Sequence, residues 1–175
     1  FLMAAALEEA LVHPDDLFYC ENGKYKVLNH TIHDLKKFSW LSLAQILRFS
    51  SNIGAAKVSE KLGPSRFHRY IRGFGFGAPT ELGLPGETTG LIRPPDEWTP
   101  VDLVASSFGQ SLSVSATQLA MALGAVANNG LLMQPLLIKE VLDGQGRVVR
   151  RNNSRVVRRV ISAATAERLK DLLAE

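Results

Sequence analysis

The sequence is poor in cysteine and has no long apolar run. Cys20 is the only cysteine, so no internal disulfide can form and a zinc site built on cysteines is excluded. No stretch of 18 or more residues is continuously apolar, so no transmembrane helix is expected. The start has neither a basic region nor a small-residue cleavage site, so no signal peptide is read there. Charge imbalance is small too: 20 Lys and Arg stand against 17 Asp and Glu, a net charge of +3. The basic residues gather late, as Arg147, Arg150, Arg151, Arg155, Arg158 and Arg159. They read either as a patch for an anionic partner or as a solvated strand face and loop. No aromatic residues interleave with them for base stacking, and nucleic acid is not expected as a partner.

What is present suits one ordinary domain. The chain has 175 residues, 46% of them hydrophobic and 21% charged, which is enough apolar surface for a core. Phe1-Leu2-Met3-Ala4-Ala5-Ala6-Leu7 is apolar on every side, as in a helix buried inside a protein. Because natural termini are usually polar, this start reads as cut from a longer chain. The helix is expected to run from Phe1 to about Val12 and to end at Pro14. Residues 18–34 alternate loosely, contain the turn signal Asn22-Gly23, and predict extended, partly exposed backbone. His30 and His33 have the spacing of a metal pair on a helix. No acidic or sulfur partner completes a set, and they read as loop residues.

Leu41 to Phe49 is helical by pattern, and Ala55, Val58 and Leu62 continue a second helix up to Gly63-Pro64. Phe67, Tyr70, Ile71 and Phe74 mark a third. Gly73-Phe74-Gly75-Phe76-Gly77 has the wrong spacing for a phosphate loop and reads as a helix end and tight turn. Residues 77–100 hold five of the eight prolines and predict a long irregular connection. Val101 to Phe108 reads as a short helix and Gly109 to Ser113 as a turn. Ser115 and Gln118 then form a capping box, and Ala116, Leu119, Ala120, Leu123 and Ala127 are read as the inward stripe of the next helix, closed by Asn128-Asn129-Gly130. Leu136–Leu142 and Arg147–Arg150 flank Asp143-Gly144-Gln145-Gly146 as a hairpin. Ser162 should cap a last helix with Ala166, Leu169 and Leu173 inward.

Between two helices lies Ser50-Ser51-Asn52. Taken alone, such residues are good helix caps, because their side-chain oxygens accept bonds from free backbone N–H groups. Four segments in order give the triplet a wider setting: Ser50–Lys57, Phe74–Gly77, Leu82–Glu87 and Phe108–Leu119. Together they resemble the transpeptidase domain of class B penicillin-binding proteins, in particular division-type enzymes, across essentially the whole chain. The resemblance implies an α/β fold of the penicillin-recognising, β-lactamase-like type, with helices against an antiparallel sheet. It also implies serine acyl transfer on peptidoglycan stem peptides, with β-lactam antibiotics as mimics of the donor, and no cofactor. The parent protein is expected at the outer face of the bacterial cytoplasmic membrane, anchored by a segment outside these residues, with divisome membrane proteins as possible partners.

The family signature is S-x-x-K, S-x-N and K-T-G. Ser50-Ser51-Asn52 fits the second. No serine is followed three residues later by lysine, and no Lys-Thr-Gly or Lys-Ser-Gly occurs. Residues 1–175 are therefore expected to form a partial transpeptidase domain, with the nucleophile just before Phe1 and the third motif after Glu175. The resemblance assigns Ser50 to proton relay and Asn52 to positioning of a lysine and the substrate. The oxyanion hole would be absent here. Gly109 and Gln110 are candidates for the substrate-facing wall, with a structural turn as the alternative; the family commonly carries an aromatic where Gln110 stands. A β-lactamase or β-lactam sensor of the same superfamily, or a non-catalytic binding module, are the competing readings. The long loop and the Phe108–Leu119 segment favour the transpeptidase.

Overall fold

The computed structural model describes residues 1–174. Its first helix, α1 (Leu2–Glu8), is buried along Leu2 to Leu7, as an all-apolar helix must be. It stops well short of Val12. Ala10 takes a left-handed conformation, Ala10 N–H donates to Leu7 C=O and Leu11 N–H to Ala6 C=O, each at 3.0 Å. These two bonds satisfy the last helical carbonyls before Pro14 is reached.

Strands β1 (Leu17–Tyr19), β2 (Lys24–Val27), β3 (His30–His33) and β4 (Trp40–Ser42) follow. β1 pairs with β4 and β2 with β3, both antiparallel. Asn22-Gly23 does turn the chain, in a 3-10 turn at Glu21–Gly23, but the β2–β3 hairpin turns at Leu28-Asn29. His30 and His33 stand on β3 rather than in a loop, and at a separation of three they fall on opposite faces of the strand.

Three helices then form the centre. α2 (Leu43–Phe49) starts at a capping box in which Ser42 and Gln45 bond one another's backbone. α3 (Asn52–Leu62) buries Ile53, Ala55, Val58 and Leu62 between α1, α2 and α5. Gly54 has no room for a side chain, since a Cβ there would lie 2.4 Å from Ile46 Cγ1; glycine is what lets α3 lie this close to α2. Gly63 ends α3 and Pro64 opens α4 (Pro64–Gly73), whose Phe67 and Ile71 face the core.

The connection from 77 to 99 is irregular but pinned. Gln118, almost fully buried, donates Nε2 to Ala78 C=O at 2.8 Å and to Thr89 C=O at 2.9 Å. Leu91 pairs with Ser113 as a single bridge. α5 (Pro100–Ser107) is capped by Thr99 and Asp102, and Asp102 also pairs with Arg93 of the loop.

α6 (Ala116–Ala127) begins at the expected Ser115–Gln118 capping box. Its buried face is not the expected one. Gln118, Ala122, Ala125 and Val126 point inward, while Ala116, Leu119, Ala120, Leu123 and Ala127 are exposed. β5 (Leu131–Met133) pairs with β8 (Val156–Arg159), and β6 (Glu140–Leu142) with β7 (Val148–Arg151) as the expected hairpin around Asp143. α7 (Ala163–Ala174) is capped by Ser162, whose Oγ accepts from Thr165 N–H at 3.1 Å. Ala166, Leu169 and Leu172 are buried, and Leu173 is exposed, contrary to its expected inward place. The fold is α/β with antiparallel strands in four two-stranded ladders among the described residues. No described helix is long and apolar enough to cross a membrane.

Candidate active site

Ser50, Ser51 and Asn52 divide the helix junction between them. Ser50 is left-handed (φ 52°, ψ 47°) and closes α2: its N–H donates to Leu47 C=O at 3.2 Å, and Ser51 N–H to Ile46 C=O at 3.1 Å. The left-handed region costs an L-residue with a Cβ about 1–2 kcal/mol. Ser50 is exposed, so the strained backbone presents a solvent-facing hydroxyl.

Ser51 is the actual N-cap of α3. Its buried hydroxyl accepts from Gly54 N–H at 2.9 Å and donates to Asp34 Oδ2 at 2.6 Å. Asp34 Oδ1 accepts from Ile53 N–H at 3.0 Å. One carboxylate just past β3 therefore ties the cap and the first turn of α3 together. Asn52 Nδ2 donates to His33 C=O at 3.0 Å, and its Oδ1 has no hydrogen-bond partner among the described residues. Cys20 Sγ lies 3.7 Å from the Ser51 hydroxyl. The thiol is fully buried and its pKa is pushed up by that burial, so it stays protonated and unreactive.

Ser50 and Asn52 line a cavity of about 270 Å³ together with Phe1, Met3, Ile46 and Ser107. An adjoining, more apolar cavity of about 290 Å³ shares Phe1 and is lined by Gly109, Phe67 and Ser106. Ser106 Oγ is buried there without a hydrogen-bond partner among the described residues. Gly109 and Gln110 close α5: Gly109 N–H donates to Ser106 C=O at 3.1 Å and Gln110 N–H to Ala105 C=O at 3.0 Å. That is the geometry of a helix-ending turn. Gln110 is exposed and lines neither cavity. Among the described residues no group of three His, Cys, Asp or Glu side chains is placed to hold a metal ion.

Sequence reading placed a helix break at Ser50-Ser51-Asn52 from its small polar residues, and the break is there; the roles of Ser50 and Asn52 came from the resemblance. The reading missed Asp34, Cys20 and the His33 carbonyl, which reach the triplet across 17 to 31 residues of chain. No local spacing signals such a contact.

The whole chain, residues 1–175, matches the penicillin binding protein transpeptidase domain. It is 32% identical to penicillin-binding protein PbpB of Mycolicibacterium smegmatis over 97% of this chain and 26% of the relative. It is also 32% identical to the probable peptidoglycan D,D-transpeptidase PbpC of Pseudomonas aeruginosa, over 91% of this chain and 28% of the relative. Among solved structures it resembles the apo transpeptidase domain of Burkholderia pseudomallei penicillin-binding protein 3, with TM-score 0.87, 32% identity, and coverage of 99% of this chain and 50% of that one. A likeness of TM-score 0.87 and 30% identity extends to penicillin-binding protein 3 of Mycobacterium tuberculosis complexed with aztreonam, covering 98% of this chain and 38% of that chain. The chain thus spans about a quarter of the length of these curated relatives. The chain belongs to the transpeptidase domain family of the penicillin-binding proteins.

Proposed function

We propose that these residues are the middle part of a serine D,D-transpeptidase domain that cross-links peptidoglycan stem peptides and is trapped by β-lactams. The observation that carries this reading is the cavity where Ser50 and Asn52 face the first turn of α1. A nucleophilic serine and its lysine placed immediately before Phe1 would sit at the mouth of that cavity. The third motif would follow α7.

In this reading the absent serine oxygen attacks the carbonyl between the two D-Ala residues. The C–N bond breaks and D-Ala leaves as an amine that takes up a proton. The amine of a neighbouring stem peptide then attacks the acyl-serine and regenerates the hydroxyl. Ser50 serves as a relay, since a hydroxyl can accept one proton while donating another. Asn52, held at Nδ2 by the His33 carbonyl, offers Oδ1 to a lysine ammonium. Asp34 holds the junction still. The same reading has the parent protein work at the outer face of the cytoplasmic membrane, in reach of divisome membrane proteins.

The test uses the longer protein and a fluorescent penicillin. Ser50→Ala and Asn52→Ala are each expected to slow acylation by about 10²–10⁴-fold, the usual worth of proton-transfer assistance, with an unchanged circular dichroism spectrum. Acylation of both variants at the parental rate would reduce the triplet to a helix cap. The 175-residue chain itself is expected to form no adduct by mass spectrometry. A stoichiometric adduct on Ser50 would refute the placement of the nucleophile outside it.

A further inference from the structure

A concavity larger than either of those two cavities lies away from Ser50 and Asn52. It measures about 520 Å³ and opens between the β6–β7 hairpin, the segment entering β6 and residues 81–83 of the long loop. Arg150, Arg151 and Arg155 line it. Their partners differ. Arg151 Nε is 2.9 Å from Glu140 Oε1 and is neutralised there. Arg150 Nε donates to Asn152 Oδ1 at 3.2 Å, which fixes the guanidinium without cancelling its charge. The Arg155 guanidinium has no ion-pair or hydrogen-bond partner among the described residues. The surrounding sequence supplies no remedy: residues 144–166 contain six arginines and no acidic residue. One carboxylate on the lining opposes them, that of Glu81, which accepts from Gln134 Nε2 at 3.2 Å.

A guanidinium stays charged at any physiological pH, is weakly hydrated, and presents paired N–H groups that match an oxyanion. Two uncompensated ones in a concave wall focus a positive potential on the space between them. A single carboxylate has two oxygens and one charge, enough for one fork. A phosphate has more oxygens and up to two charges, and can engage both. The aliphatic residues Leu136 and Leu137 line the same wall.

We propose that this groove is a binding site for the phosphate group of a ligand, held by Arg150 and Arg155. A soluble phosphate ester and a lipid headgroup share that chemistry, and the experiment separates them.

The chain is titrated at low salt with inorganic pyrophosphate by calorimetry and, in parallel, sedimented with phosphatidylcholine vesicles containing phosphatidylglycerol. Saturable one-to-one binding of pyrophosphate is expected, weakening as salt is raised. The double variant Arg150→Ala/Arg155→Ala should lose at least about tenfold in affinity, the equivalent of one good charge-assisted bond. Glu81→Gln should tighten binding by removing the opposing charge. Arg158→Ala/Arg168→Ala removes the same charge outside the groove and should retain affinity. Vesicle binding displaced by pyrophosphate identifies the source as a lipid headgroup; pyrophosphate binding without vesicle binding identifies a soluble ester. Three results overturn the proposal: no saturable pyrophosphate binding, equal loss in the Arg158/Arg168 control, or citrate binding as tightly as pyrophosphate. Vesicles that bind Arg150→Ala/Arg155→Ala as well as the parent chain also overturn it.

Discussion

Asp34 shows what a single residue contributes to the junction. Its two oxygens serve donors on two neighbouring positions, the Ser51 hydroxyl and the Ile53 N–H, in a part-buried setting. Removing the carboxylate leaves the buried Ser51 hydroxyl with only the weak acceptor Cys20 Sγ, 3.7 Å away, and frees the first turn of α3. Asp34→Ala is therefore expected to destabilise the chain by about 1–3 kcal/mol in urea unfolding, the cost of unmade buried hydrogen bonds. Asp34→Asn keeps the shape and one acceptor oxygen and should lose less. A loss under about 0.5 kcal/mol for Asp34→Ala, the range of an ordinary surface change, would show that the carboxylate does not hold the triplet. The break between α2 and α3 at Ser50-Ser51-Asn52 was legible in the sequence because capping chemistry is local. Asp34 was not, because its role exists only once β3 has folded back beside α3.

At the scale of elements, α6 shows where periodicity stops being informative. Residues 116–127 are apolar on two faces at helical spacing, one through Leu119 and Leu123 and the other through Ala122, Ala125 and Val126. Larger side chains favoured the first face, yet the second is buried. What decides is Gln118: its side-chain amide must reach Ala78 and Thr89 to hold both ends of the long loop, so its face turns inward. Small residues then suit that face, because β5 and α7 pack closely against it. The readings that succeeded, at Gly63-Pro64, Ser115–Gln118 and the Asp143 turn, rest on backbone chemistry within a few residues. β5 and β8 were missed because strands of three and four residues carry too few alternations to register. The inversion of α6 has a direct test. Ala122→Leu adds volume where no surface is exposed and should cost about 1–3 kcal/mol. Leu123→Gln, at a position 54% exposed, should change stability by no more than about 0.5 kcal/mol. Thermal unfolding of the two variants giving the reverse order would restore the original stripe.

At the scale of the whole molecule, the two ends of the chain are fastened by Glu8. From the end of α1, Oε2 accepts from Ser162 N–H at 3.0 Å and from the Ser162 hydroxyl at 2.9 Å, across 154 residues. The carboxylate sits at the N-terminus of α7, where the helix dipole also favours negative charge. Such closure cannot be read from sequence, since nothing near Glu8 or Ser162 names the other. Burial alone would push the Glu8 pKa up. Hydrogen bonds from Thr165 and Ser162 outweigh it and hold the group below its ordinary value of 4.5. A depressed folded pKa means that the unfolded chain binds the proton more readily. The contribution of Glu8 is therefore complete above pH 4.5 and drains away as pH falls through the folded value. Glu8→Gln should cost about 1–2 kcal/mol at pH 7, as expected for losing hydrogen bonds to a charged group. Its difference from the parent chain should narrow steadily below pH 4.5. Urea unfolding at pH 7 and at about pH 3, well under the usual carboxylate range, measures both. A gap of the same size at the two pH values would mean that the ends are held by packing of α1 on α7 alone, and that the charge of Glu8 adds nothing to the closure.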